Sequence, residues 1–329
     1  MISAVSKINL AKEKALNGER LDFELMLDLL NISEDTQDFL YLGKAAREIS
    51  AVLTKNKSYL WSAIGVDFAP CDMNCSFCSM GEKWGIVTDK NSYVMETDEI
   101  IERARAYAAC GVRWIVIRTT QHYPHDEIIS IAKKIRATVP GDYELGINTG
   151  ELTPERAETL CKVGFDFAYH ALRIREGEQS EFSPDLRLET MQTISESKLA
   201  LSSWVEPVGS EHTNEEIARA YEAILDLGTT VSGVMARVPV PGTPLGEIPQ
   251  ISEKRLAHII AVAGLSRGGI VEDICVHPFN RLAISFGANV ATIESGAIPR
   301  DGNFSKSNWN DQTFENIINT FEKEGYNTL

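Results

Sequence analysis

The 329-residue chain is short of positive charge and of cysteine and has no long apolar run, and each shortage narrows what it can be. No uninterrupted stretch reaches the ~20 apolar residues that a membrane-spanning helix needs. With 32 Lys and Arg against 47 Asp and Glu, the net charge is −15, which repels a phosphate backbone and an anionic lipid surface alike. Neither nucleic acid nor a membrane is therefore an expected partner. The N-terminal Met1-Ile2-Ser3-Ala4-Val5-Ser6-Lys7 leads into charged residues rather than an apolar core with a small-residue cleavage site, so no secretory signal is expected and a cytoplasmic location follows. Only six cysteines are present, three of them clustered between Cys71 and Cys78. In such a chain, clustered thiols point to metal or redox chemistry rather than to a disulfide framework.

What is abundant is alternation. From about Leu21 to Leu53, apolar residues recur at helical spacing (Phe23, Met26, Leu27, Leu30, then Leu40, Leu42, Ala45, Ile49), which predicts a helical N-terminal extension with Ser33 as the N-cap of its second helix. From Ser62 onward, short β-rich runs alternate with amphipathic helical runs. The predicted strands are Ala63–Phe68, Trp114–Arg118, Tyr143–Ile147, Phe165–His170, Ala200–Val205, Val231–Val238, Ile270–Val276 and Val290–Ile293. Helices are predicted over Thr97–Ala109, Asp126–Ala137, Pro154–Val163, Asn214–Leu227 and Ser252–Leu265. Eight strands with helices between them predict an α/β (β/α)8 TIM-type barrel, and the length suits one such barrel with extensions. The expected organisation is a helical extension over 1–57, the barrel over 58–305, and a C-terminal segment, 306–329, whose helix (about Asp311–Glu324) packs on the barrel.

In a barrel of this kind, functional groups sit on the loops that follow the strands. The segment Cys71-Asp72-Met73-Asn74-Cys75-Ser76-Phe77-Cys78 follows the first strand and aims three thiols from one tight loop. Thiolates suit iron–sulfur clusters or zinc, but a structural zinc needs a fourth ligand close by, and the next cysteine, Cys110, stands alone beside a helix end. Three protein ligands on a Fe4S4 cube leave one iron open, which is what S-adenosylmethionine (SAM) requires if its amino and carboxylate groups are to chelate the metal. Cys110 and Cys161 fall in or at the end of helical runs and are expected to be buried structural thiols. Cys275, near the end of the seventh strand, is expected to be structural too.

With Phe77 just before the last cysteine, the CxxxCxxC segment resembles the radical SAM superfamily, in the branch containing biotin synthase, the iron-only hydrogenase maturase and methylornithine synthase. The helical extension supports that resemblance. So do Ala109-Cys110-Gly111, Gly164-Phe165-Asp166, Pro241-Gly242-Thr243-Pro244-Leu245 and Gly287-Ala288-Asn289, which stand in matching order along most of the chain. The resemblance implies an enzyme that cleaves SAM reductively to a 5′-deoxyadenosyl radical. It further implies a 4Fe-4S cluster on Cys71, Cys75 and Cys78, a small-molecule substrate, and an electron donor such as flavodoxin or ferredoxin. Biotin synthase carries further cysteines inside its barrel for a sulfur-donating cluster; the corresponding places here are Val116, Gly146 and a residue near Ser202, none a soft ligand. Fragmentation, rearrangement or coupling in cofactor or unusual amino-acid biosynthesis is therefore expected. The alternatives are a sulfur-inserting synthase that borrows its donor from a partner subunit, or a non-catalytic cluster-binding scaffold.

For SAM, the resemblance implies Glu176 after strand four and, within Arg118-Thr119-Thr120-Gln121 after strand two, the loop Thr119-Thr120-Gln121 at the methionyl amine. Phe77 beside the last cysteine and the polar residues Arg173, Glu206 after strand five and Arg237 in strand six are further candidates, with Arg173 and Arg237 suited to the carboxylates of SAM or of an acidic substrate. Thr119-Thr120-Gln121 departs from the glycine-rich form usual in relatives. Further polar candidates near strand ends are Asn148, Thr149, His170, His277, Asn280 and Arg281. Gly81 and Gly85 permit a sharp return of the chain after the cysteines, and Trp84 is placed to shield the cluster.

Overall fold

The computed structural model describes residues 3–328. It begins with the helices α1 (Ala4–Leu16), α2 (Phe23–Leu30) and α3 (Gln37–Leu53). Eight parallel strands follow: β1 (Lys57–Gly65), β2 (Trp114–Arg118), β3 (Glu144–Asn148), β4 (Phe167–Tyr169), β5 in two segments (Ala200–Ser202 and Val205–Val208), β6 (Val231–Ala236), β7 (Asp273–His277) and β8 (Val290–Ala297). Each pairs with the next, and β8 pairs back onto β1 from Tyr59↔Val290 to Gly65↔Gly296, closing the ring. The expected (β/α)8 barrel is the fold.

The strands carry apolar residues on both faces because both are covered. Along β1, Trp61 and Ala63 point into the barrel and Leu60 and Ile64 point to the helices, the alternation a strand requires. The interior is plugged by Trp61, Trp114, Phe167, Tyr169 and Trp204, with Trp61 at 5.1–6.2 Å from the other four rings. This plug fills the lower barrel and leaves the mouth at the C-terminal strand ends open.

The outer layer consists of α4 (Thr97–Ala109), α5 (His125–Thr138), α6 (Pro154–Lys162), α7 (Pro184–Glu196), α8 (Asn214–Asp226), α9 (Glu253–Ser266) and the short α10 (Arg281–Ser285). Local chemistry sets several starts. Thr153 and Ser183 cap α6 and α7 just before a proline in the first turn, and Thr213 with Glu216 forms a reciprocal capping box on α8. The extension packs on this layer, with Phe39 edge-on to His258 at 5.6 Å and the His258 imidazole 2.8 Å from the Leu29 carbonyl. At the other end, α11 (Phe314–Lys323) is followed by Asn327–Thr328, which pairs with Lys57–Ser58 of β1. No helix among the described residues is long and apolar enough to cross a membrane.

Several boundaries differ from expectation. The first strand begins at Lys57 and ends at Gly65, whereas Asp67–Phe68 forms a separate antiparallel pair with Tyr93–Val94. Polar Lys57, Ser58 and Ser62 hid the start, although Ser58 and Ser62 are fully buried. Thr36, not Ser33, caps α3, its hydroxyl accepting from the Phe39 N–H. α1 was not anticipated, because its buried face consists of only Ile8, Ala11 and Ala15. Cys110 is exposed rather than buried, since it is the residue at which α4 ends.

Candidate active site

The loop that follows β1 is held by its backbone. The Cys71 N–H donates to the Met80 carbonyl at 2.7 Å, the Glu82 N–H returns to the Cys71 carbonyl at 3.0 Å, and the Cys78 N–H donates to the Cys75 carbonyl at 3.0 Å. Asn74 takes a left-handed conformation (φ 44°), which asparagine tolerates, and its side-chain oxygen accepts from the Lys83 N–H at 3.0 Å. Distant segments brace the loop as well. Ser76 donates to Gln179, Leu245 donates to Ser76, and Ser79 donates to Pro299, all at 2.8–3.0 Å. The Leu245 contact explains why Pro241-Gly242-Thr243-Pro244-Leu245 belongs with the cysteines. The Trp84 indole donates to the Cys75 carbonyl at 3.1 Å, under the loop. Gly81 has no side chain because a Cβ there would lie 2.2 Å from that indole nitrogen.

Cys71, Cys75 and Cys78 line one cavity, which occupies the mouth of the barrel. Its floor is Trp61, Val116, Tyr169 and Trp204. Burial raises all three thiols, Cys75 to about 12, with Arg173 acting against the rise at Cys75. Bare thiolates are thus disfavoured here, and bonding to iron would compensate. Among the described residues, no three His, Cys, Asp or Glu side chains converge closely enough for a single metal ion. Three soft donors around one cavity, without a fourth, fit a cuboidal cluster better than zinc.

Of the residues expected to contact SAM, Phe77, Thr119, Thr120, Gln121, Arg173, Glu206 and Arg237 all line this cavity. Asn148, Thr149 and His277 line it too. Glu176 does not. Its carboxylate lies behind the wall, 3.4 Å from Arg173 Nη1 and 3.6 Å from Arg187 Nε. Buried Glu206 accepts from the Tyr169 hydroxyl and sits 3.3 Å from Arg173 Nε. Burial pulls the Arg173 guanidinium down, but Glu176, Cys75 and Glu206 outweigh it, so the cation is held firmly. Arg237 is paired with Glu211.

Other expectations resolve differently. His170 is fully enclosed, 3.1 Å from Glu151 and hydrogen-bonded with Arg187, and burial drives its imidazole to about 4. Asn280 caps α10, and Arg281 pairs with Glu324 at the surface; neither reaches the cavity. Cys275 is completely buried in the plug.

Sequence reasoning did not reach Asp67, Arg187, Glu294 and Arg300, which line the cavity together with Arg118 of the strand-two loop. Asp67 accepts from the Thr120 N–H at 2.7 Å and from the Thr120 hydroxyl, so a carboxylate fixes this loop. No local motif marks these positions; only strand closure brings them together.

A family model described as the radical SAM superfamily matches residues 69–254. Biotin synthase of Persephonella marina is 26% identical over 258 residues, covering 76% of this chain and 75% of that one. Biotin synthase of Synechocystis sp. is 29% identical over 268 residues, covering 76% and 72%. Among solved structures, the [FeFe]-hydrogenase maturase HydG superposes with a TM-score of 0.82 at 16% identity, covering 99% of this chain and 76% of that one. Methylornithine synthase (PylB) superposes at 0.80 with 17% identity, covering 97% of each chain. These superpositions establish the shared barrel. With the three cysteines in CxxxCxxC spacing at its mouth, the chain belongs to the radical SAM superfamily, whose enzymes use a 4Fe-4S cluster and SAM.

Proposed function

We propose that this enzyme abstracts a hydrogen atom from a small organic substrate in the biosynthesis of a cofactor or unusual amino acid, and that the outcome is rearrangement, fragmentation or coupling rather than sulfur insertion from an internal donor. Cys71, Cys75 and Cys78 hold the cluster. A cluster held there, with SAM at its open iron, would supply one-electron cleavage of SAM and so the oxidising power to take a hydrogen atom from carbon.

The chain's own residues set the geometry. Thr119, Thr120 and Gln121 form the ledge for the methionyl end of SAM, with Thr120 fixed by Asp67. Arg173, clamped between Glu176 and Glu206, offers its cation to a carboxylate. Phe77 and Arg237, which line the same cavity, are assigned to SAM as well. The aromatic floor closes the barrel below and keeps water from a radical.

The observation that carries the reading is what stands at the three corresponding places in the barrel strands. Val116 replaces one soft ligand; Gly146 has no room for any, since a Cβ there would lie 2.1 Å from the Phe167 ring; and the Ser202 hydroxyl is spent on the Val231 carbonyl at 2.8 Å. Of the other thiols, Cys275 is sealed in the plug, and Cys110 and Cys161 lie on the outer helices. Iron and acid-labile sulfide are to be counted after anaerobic reconstitution. About four of each per chain supports the reading; a stable excess of about two, or product sulfur traced to the protein, contradicts it.

A further inference from the structure

The groups proposed for the cluster and SAM occupy the β1 loop and the ends of β2 to β6. The wall made by β7, β8 and the start of the next loop is not used by them. Arg300 lies on this wall, and Arg118, at the end of β2, reaches toward it. β8 and β2 are the two neighbours of β1, so the two arginines flank β1. Between them stands Gly65, whose missing side chain makes room: a Cβ there would lie 2.6 Å from Arg118 Nη2 and 2.1 Å from the Ala297 carbonyl.

The protein leaves these cations underpaired. Arg118 Nε and Nη2 are buried without any hydrogen-bond partner. The closest carboxylate, Asp67, turns one oxygen to the Thr120 N–H and the other to the Thr120 hydroxyl. Arg300 has Glu294 for one nitrogen, the Met235 thioether at 3.7 Å for another, and none for Nε. A thioether is a weak acceptor. Burial pushes both down, Arg118 to about 10 and Arg300, which also lies in Arg118's repulsive field, to about 9, against the opposing pull of Cys78 and Asp67 on Arg118 and of Glu206 and Cys78 on Arg300. His277 lies in the field of both and is held neutral by burial and by their charge, so it adds no further cation. Trp309 backs the assembly, its ring stacked on His277 at 5.5 Å and under the Arg300 guanidinium at 5.1 Å.

We infer that Arg118 and Arg300 form the anchor for a carboxylate of the substrate, with the substrate's carbon body lying over the apolar floor of Trp61, Val116 and Trp204. This rests on the proposed function and names its substrate class. Two guanidinium groups facing one cavity suit the paired oxygens of a carboxylate. Because Glu294 and Asp67 already bring negative charge close by, a monoanion is matched better than a phosphate dianion. An acid anchored on this wall would carry its carbon chain over the floor of the same cavity that the three thiols line.

The test is equilibrium dialysis of radiolabelled hexanoate, hexanamide and hexyl phosphate against the cluster-loaded, SAM-bound enzyme, the R118M and R300M variants, and R300K. Saturable hexanoate binding is expected, with hexanamide and hexyl phosphate at least tenfold weaker. R118M and R300M should each weaken hexanoate at least tenfold, and R300K should recover part of the loss, with iron content and SAM affinity unchanged throughout. Absence of saturable hexanoate binding overturns the inference, as does preference for hexyl phosphate. A fall in iron content or SAM affinity in the variants also overturns it and assigns the arginines to the cofactors. Failure of the unaltered protein to bind iron or SAM at all is a different result and refutes the proposed function instead.

Discussion

Replacing Gly65 by alanine tests how tightly the barrel closes beneath the cysteine loop. A methyl group there would lie 2.1 Å from the Ala297 carbonyl oxygen, 2.7 Å from the Ala297 nitrogen and 2.6 Å from Arg118 Nη2. The arginine is a flexible end and can swing aside. The Ala297 backbone cannot, because it belongs to β8, which is paired with β1 in register up to Gly65↔Gly296. The strands must separate, and overpacking of this kind costs about 1–3 kcal/mol. With a urea slope of about 3 kcal/mol/M, the midpoint should fall by ~0.3–1 M. Gly302→Ala is the control, because its nearest neighbour, Ile86, lies at 3.5 Å, and such a surface change should stay within about 0.5 kcal/mol. The same variants can be scored for iron uptake, where Gly65→Ala should lose occupancy as the loop above it shifts. Wild-type stability together with wild-type iron content in Gly65→Ala would refute the close-approach argument.

Cys75→Ala should abolish the cluster's visible absorbance and SAM cleavage while circular dichroism still reports an intact barrel, since only a loop donor is lost. Asp67→Asn keeps one acceptor for Thr120 but opposes the second donor; SAM affinity, measured by equilibrium dialysis, should fall about tenfold, or ~1.4 kcal/mol, and unchanged affinity would free Thr120 of any role. His170 titrates at about 4 in the folded protein because of burial, against about 6.5 when unfolded. The unfolded state therefore binds more protons between those values, and stability should drop by about 3 kcal/mol as pH falls from 6.5 to 4. His170→Gln should flatten that part of the urea-midpoint profile, and an unchanged slope contradicts the assignment. Iodoacetamide should label Cys110 in the folded protein and leave Cys275 untouched until denaturant is added, as read by peptide mass spectrometry; early labelling of Cys275 would show the plug to be open.

The repeating βα pattern was legible because each strand is a short apolar run and each helix has an apolar stripe; Trp114–Arg118 and Thr97–Ala109 fall where the sequence places them. Strand ends were less so. At Gly65 the chain leaves the barrel, and Asp67–Phe68 looks like more of the same strand until its antiparallel partner Tyr93–Val94 is seen. The cysteine triad was legible because its three ligands lie in one loop, where spacing alone fixes them. Glu294 and Arg300 were not, because they join Arg118 at the cavity only when β8 pairs with β1. Glu176 shows the opposite limit. Its place after strand four was legible, but whether its carboxylate meets the cavity or only Arg173 and Arg187 is decided by side-chain packing.

The central claim is an iron–sulfur cube held at three corners by Cys71, Cys75 and Cys78, open to SAM at the fourth. The most direct measurement is anaerobic reconstitution followed by dithionite reduction in the presence of SAM, with metal analysis before and 5′-deoxyadenosine quantified after. The account predicts about four irons per chain and release of 5′-deoxyadenosine that is absent from Cys71→Ala. Zinc in place of iron, or a full complement of iron without any SAM cleavage, would contradict it.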